Sequence, residues 1–222
     1  MKNLFDRDGW LYKYLEKKAT DNVAKIPRTF DTIMPKDLIT GDILLYYYHN
    51  PATEFHGRFR DATWGRSDDP PYHANIFFEH STRQQYVLDT ELLTTPSILK
   101  EYTSKEKIRI DVIRYPISEV QQEMLYGFME GVAIKEPLYD VGGYGSFMDD
   151  FKWLKWLPCI KPSDKKPFCS ENVTLGYHDV AHYKISNRQP VNTAPVDLQL
   201  FALQSKEARL LTLQPGVSYQ ER

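Results

Sequence analysis

Tyr72-His73-Ala74-Asn75-Ile76-Phe77-Phe78-Glu79, a polar break over 80–84, and then Gln85-Tyr86-Val87-Leu88-Asp89-Thr90 form the stretch on which the fold turns. Two short runs rich in aromatic and aliphatic residues, parted by a few polar ones, predict an antiparallel hairpin with strands over Ala74 to Glu79 and Gln85 to Thr90. Upstream, Thr40-Gly41-Asp42 is a turn signal, and the apolar, aromatic run Ile43-Leu44-Leu45-Tyr46-Tyr47-Tyr48 predicts a buried strand. Downstream, Ile108 to Arg114 predicts another strand. Ser118, with Gln121 three residues on, fits a capping box. The helix it opens is expected to turn Val120, Met124, Leu125, Phe128 and Met129 to one face. Ser170 to Tyr177 reads as the start of a second helix, and Leu198 to Leu210 as a last helical stretch.

Outside this centre, Leu4, Trp10, Leu11, Tyr14, Leu15, Val23 and Ile26 recur near helical spacing, so an amphipathic helix is expected over 4–26. Pro27 and Pro35 bracket an extended connector after it. Residues 49–71 read as a long loop, and 137–168 as another with a short helical turn around Phe147 to Trp156. The expected division is an N-terminal helical arm over 1–37, one domain over 38–200, and a C-terminal helix and tail over 201–222. Lys and Arg number 28 against 30 Asp and Glu, a net of -2, which lacks the basic footprint of a dedicated nucleic-acid binder. Aromatic residues, at 14%, supply enough apolar surface to offset the ordering entropy, which argues against disorder. Cys159 and Cys169 are too few for a disulfide framework. The first residues are charged where a signal peptide needs an apolar run, and no stretch reaches the ~18 apolar residues of a membrane span. A soluble, cytoplasmic protein is therefore expected.

For chemistry, the question is which nucleophile has a base. Cys169 follows Pro167-Phe168 and precedes Ser170-Glu171, good first-turn residues, which places it at a helix start where backbone N–H groups favour a thiolate. The same amides could stabilise an oxyanion. A small buried cysteine is the plainer alternative, and Cys159, in an apolar stretch, suits that alternative better. His73 opens a strand and so stands at the rim of the sheet, while Asp89 ends the next strand, where it could accept from one imidazole nitrogen and leave the other to the thiol. His49, His56 and His73 with Asp61, Asp68 or Asp69 could be assembled into a metal site, but none of these histidines stands at HxxxH spacing and the chain has no CxxC. No Gly-x-Ser-x-Gly elbow is present, and Gly142-Gly143-Tyr144-Gly145 lacks the spacing and Lys-Ser/Thr ending of a phosphate loop.

Taken in order, Thr40-Gly41-Asp42-Ile43-Leu44-Leu45, Tyr72-His73-Ala74-Asn75-Ile76-Phe77, Tyr86-Val87-Leu88-Asp89, Leu138-Tyr139-Asp140 and Phe168-Cys169-Ser170-Glu171 resemble the permuted NlpC-type papain-like cysteine hydrolases. Within them the likeness is to the YiiX-like branch, with its poxviral and lecithin retinol acyltransferase relatives. The resemblance covers roughly residues 38 to 200 and includes Thr193-Ala194-Pro195-Val196-Asp197-Leu198 after the Cys motif. It implies an α+β fold in which an antiparallel sheet packs on the Cys-bearing helix. It also implies Cys169 as nucleophile, His73 as general base and Asp89 as the orienting third residue, with Glu91 as the alternative. The implied reaction is thiolate attack on an amide or ester carbonyl of a peptide, amide or acyl-lipid substrate, with no metal or organic cofactor. Trp64, Tyr72, Tyr139, Tyr144, Phe151, Trp153 and Trp156 could line an acyl or aromatic pocket, or simply pack the core and the long loop. Two features depart from the pattern: the 49–71 loop is long, and Ala74 stands where a larger residue is frequent. The competing class is a catalytically silent fold that presents its N-terminal arm to a protein partner, which would have no need of Cys, His and Asp in this order.

Overall fold

The computed structural model describes residues 13, 26, 27, 30–48, 67, 69–71, 73–80, 84–90, 94–98, 108–135, 169–190 and 193–214. The strands are β1 (Asp31–Ile33), β2 (Ile43–Tyr48), β3 (His73–Glu79), β4 (Gln85–Thr90), β5 (Thr94–Ile98), β6 (Ile108–Arg114) and β7 (Arg209–Leu213). The α-helices whose full extent lies among the described residues are α1 (Glu119–Lys135), α2 (Cys169–Leu175, widening into a π turn over Gly176–Val180) and α3 (Pro195–Gln204). The strands form a seven-stranded sheet in the order β1-β7-β6-β2-β3-β4-β5. Neighbours are antiparallel except β1 and β7, which run parallel. With helices on the sheet, this is an α+β fold.

Strand β2 lies at the centre and is apolar throughout because both of its faces are covered. Ile43, Leu45 and Tyr47 point to the helix-covered side, where they pack with Ala74, Ile76, Phe78, Leu125, Met129, Val173 and Tyr177. Leu44 and Tyr46 point the other way, into a second cluster with Phe77, Val87, Val112, Leu211, Leu213 and Ile33. Each such aliphatic or aromatic side chain, fully buried, contributes about 1.5–3 kcal/mol, so the two clusters hold the sheet from both sides.

The turn before β2 is a structural joint. Gly41 has φ +99°, a conformation that side chains with a Cβ rarely adopt. Its carbonyl accepts from the Tyr177 hydroxyl, and its N–H donates to Phe77 O at 3.0 Å. Asp42 is buried; its Oδ2 accepts from Ile39 N at 2.9 Å, and its two oxygens take Arg114 Nε at 2.8 Å and a terminal guanidinium nitrogen at 2.6 Å. The turn is thus tied to β3, to the end of β6 and to the α2 segment. Burial pushes the Asp42 carboxyl up, and the Arg114 bond and charge act against that.

Several expectations meet the structure directly. The strands at 43–48, 85–90 and 108–114 are present, and the hairpin register runs Glu79↔Gln85, Phe78↔Tyr86, Phe77↔Val87. The capping box is formed: Ser118 N donates to Gln121 Oε1 at 2.9 Å and Gln121 N to Ser118 Oγ at 3.3 Å. The expected face of α1 needs correction. Leu125 and Met129 are buried, but Val120 is 64% exposed and Met124 38%, because the stripe facing the sheet is narrower than the apolar positions suggest. The stretch expected to be helical from Leu198 to Leu210 ends at Gln204, and Arg209–Leu213 is instead a strand between β1 and β6. Asp31–Ile33, expected as connector, is an edge strand. The 4–26 helix, apart from Lys13 and Ile26, and the 137–168 loop lie outside the described residues.

Candidate active site

His73 is the first residue of β3 and Cys169 the first of α2. Both are buried, at 8% and 4% exposure. The two side chains are hydrogen-bonded. His73 stands opposite Tyr46 in the β2 register, and the two rings lie 5.6 Å apart at a tilt of 46°.

The backbone explains how a helix start reaches this strand. Phe77 N donates to Asp42 O at 2.8 Å and Phe77 O accepts from Gly41 N, so odd-numbered residues of β3 aim their peptide groups at β2. Ala74 therefore aims its N–H at the opposite edge. Among the described residues the β3–β4 ladder ends at Phe77↔Val87, which leaves that edge open at Ala74. The Cys169 sulfur takes the vacant position and accepts from the Ala74 N–H, as well as from that of Ser170. Burial pushes the thiol up, but the His73 charge and hydrogen bond and the two backbone N–H groups outweigh it and hold the thiol below its ordinary value.

The residues around the Cys motif anchor α2. Ser170 Oγ donates to Thr193 O at 2.7 Å, and Thr174 Oγ1 donates to Ser170 O at 2.7 Å. Thr193 Oγ1 in turn donates to Gln189 O at 2.9 Å. The Asp197 carboxylate accepts from Ala194 N at 2.9 Å, capping α3, and pairs with Arg188 at 3.2 Å. The motif Thr193-Ala194-Pro195-Val196-Asp197-Leu198 is thus the start of α3 fastened to the Cys helix.

Asp89 belongs to β4, opposite Thr95 of β5 and beyond the last β3–β4 pair. Its side chain, together with Glu91, Cys159, His49, His56, Asp61 and Asp68, lies outside the described residues. His178 and His182 are exposed, and His80 sits half-buried at the hairpin turn. Among the described residues no group of three or more His, Cys, Asp or Glu is arranged to hold a metal ion, and no helix is long and apolar enough to cross a membrane.

A polar network at the same end of the sheet was not foreseen. Arg109 lies opposite Tyr47, with its guanidinium 3.7 Å over the ring, and pairs with Asp69 at 2.6 Å and Asp111 at 3.2 Å. Burial works against the Arg109 charge, but Asp111 and Asp69 more than offset it. Thr212 Oγ1 donates to Asp111 at 3.0 Å, and Gln199 Nε2 donates to the Tyr47 hydroxyl at 2.9 Å. Burial, then the Asp111 charge, push the Tyr47 phenol well above its ordinary value, so it remains protonated. The readable signal was Arg109 and Asp111 alternating with Ile108, Ile110 and Val112, which sets both on one face.

No protein family matches the chain, and no curated protein does. A solved structure does match: that of YiiX from Escherichia coli O157:H7, described as a metalloprotein, at a TM-score of 0.52 and 16% identity. The chain is similar in fold to YiiX. The match covers 80% of this chain and 97% of YiiX. At that identity the likeness to YiiX extends to the fold alone, a mixed sheet-and-helix domain.

Proposed function

We propose that this protein is a thiol hydrolase with a permuted papain-like fold, in which Cys169 is the nucleophile and His73 the general base. The observation that carries the reading is the hydrogen bond between the two side chains, with the thiol held below its ordinary value. A buried cysteine without a partner would be shifted the other way. The likeness in fold to YiiX, and a His strand that precedes the Cys helix, support the same reading.

In the reaction, the Cys169 thiolate attacks the carbonyl carbon of an amide or ester and the carbonyl electrons move to oxygen. Collapse of the tetrahedral adduct expels the amine or alcohol, which takes its proton from the His73 imidazolium. Water, deprotonated by His73, then attacks the thioester; the acid leaves and the thiolate is restored. The third role falls to Asp89, with Glu91 as alternative. Peptides, other amides and acyl lipids are the substrate classes this chemistry serves.

The test is the pH dependence of iodoacetamide labelling, with mass spectrometry resolving Cys169 from Cys159. Labelling goes through the thiolate, so its rate rises as pH passes the thiol's value in the folded protein. With His73 present the Cys169 midpoint is expected below the ~8.5 of a free thiol. In His73→Ala the charge and bond are lost, burial is left to dominate, and the midpoint moves above it. Turnover of a cleaved amide or ester is expected to vanish in Cys169→Ala and to fall at least ~100-fold in His73→Ala. A Cys169 midpoint unaffected by His73→Ala would sink the reading.

A further inference from the structure

Gln199 is a polar side chain in an otherwise largely apolar helix, and it is only 1% exposed. It uses every hydrogen-bonding function of its amide. Its Oε1 accepts from Ser67 Oγ at 3.0 Å; its Nε2 donates to the Tyr47 hydroxyl at 2.9 Å and to Asp69 O at 3.0 Å. Asp69 is held twice more: its N–H donates to Ser67 Oγ at 3.2 Å and its carboxylate takes Arg109 at 2.6 Å. Ser67 and Asp69 are therefore fastened to α3, and Asp69 to β6 as well, a few positions before His73 in the sequence. Pro70 and Pro71 have restricted φ, and Asp69 stands only four positions before His73 in the sequence, so the fastening lies close to the imidazole along the chain.

The same helix also holds the other half of the pair, since the carbonyl of Thr193, just before α3, accepts from Ser170, the residue after Cys169. We propose that α3 is the brace that sets His73 against Cys169, with Gln199, Asp69 and Arg109 as positioning residues for the imidazole. This rests on the hydrolase reading above. A glutamine that merely filled space could be replaced by leucine without effect on the dyad. One that fixes the lead-in to His73 could not, because loosening a catalytic contact by about 1 Å costs roughly 100-fold in rate.

The experiment follows the thiolate by its ultraviolet absorbance against pH, with the Cys169→Ala protein subtracted to remove Cys159. The proteins compared are wild type, Gln199→Leu, Asp69→Asn, His73→Ala and His73→Ala/Gln199→Leu, each checked for cooperative urea unfolding. Asp69, 28% exposed at the rim, keeps the test decisive if Gln199→Leu does not fold. Gln199→Leu and Asp69→Asn are each expected to raise the midpoint by roughly one pH unit, about a tenfold loss of thiolate below it. In the His73→Ala background Gln199→Leu is expected to add nothing. Unchanged midpoints in folded variants, or the same shift with and without His73, would overturn the brace while leaving the dyad standing. A wild-type midpoint indifferent to His73→Ala would overturn the hydrolase reading, and the brace with it.

Discussion

A methyl group at position 41 would stand 2.6 Å from Ile117 Cδ1 and 3.3 Å from Leu125 Cδ1, on a backbone with φ +99°. The conformation cannot be relieved locally, because the Gly41 carbonyl is tied to Tyr177 and its N–H to Phe77, while the Ile117 and Leu125 side-chain ends would have to shift within the buried cluster. Gly41→Ala is expected to cost about 1–3 kcal/mol, read as a lower urea midpoint with an unchanged slope. An unchanged midpoint would mean that the turn relaxes at no cost. At this scale the turn was legible in Thr40-Gly41-Asp42, but its reasons were not. Asp42 looked like an ordinary turn residue, whereas it is the anchor for Arg114, 72 positions along the chain. Gln199 was invisible for a similar cause: its partners Ser67, Tyr47 and Asp69 come from distant parts of the sequence, and nothing in α3 alone announces them. That His73 opens a strand and Cys169 a helix could be read, because the apolar run after His73 and the Pro167 to Glu171 stretch mark both boundaries locally. Asp89 was read on hairpin geometry, and its side chain lies outside the described residues.

Among elements, α1 shows how far periodicity reaches. Its start was legible from Ser118 and Gln121, since a capping box is a local device. Its buried face was not. Val120, Met124, Leu125, Phe128 and Met129 all satisfy helical spacing, and only packing against the sheet decides which of them are covered. Leu125 is fully buried among Ile43, Ile113 and Tyr177, so Leu125→Ala is expected to cost about 2–5 kcal/mol. Val120 is mostly exposed, so Val120→Lys is expected to stay within about 0.5 kcal/mol of wild type. Urea unfolding of the two variants separates the observed face from the wider one; a loss from Val120→Lys as large as that from Leu125→Ala would contradict the packing described here. Strands fared better than helix faces. Continuous apolar runs such as Ile43 to Tyr48 declare a central strand whichever side each residue takes.

For the whole molecule, the sheet joins segments from both ends of the sequence. β7 lies between β1 and β6, with Asp31↔Leu211 on one side and Val112↔Leu211 on the other. That placement could not be read from the sequence, because Arg209–Leu213 carries only Leu210, Leu211 and Leu213 as strong apolar signals and follows a helix closely enough to look like its continuation. Topology supplies what the local pattern lacks: β7 fills the place between β1 and β6, and its Leu211 and Leu213 pack on the face of Ile33, Leu44 and Val112. A chain ending at Ser205 would forfeit both leucines, about 3–6 kcal/mol of burial. It would also leave the facing edges of β1 and β6 without their ladder. Against a net stability of about 5–15 kcal/mol for a domain, that loss is large enough to abolish cooperative folding. Leu213→Ala, which removes one side chain and keeps the strand, is expected to fold and lose about 2–5 kcal/mol. Circular dichroism through a urea titration distinguishes the two, with a sigmoid for Leu213→Ala and a gradual, unstructured response for the shortened chain. A sigmoid with the wild-type midpoint from the shortened chain would mean that β1 and β6 can close the sheet without β7.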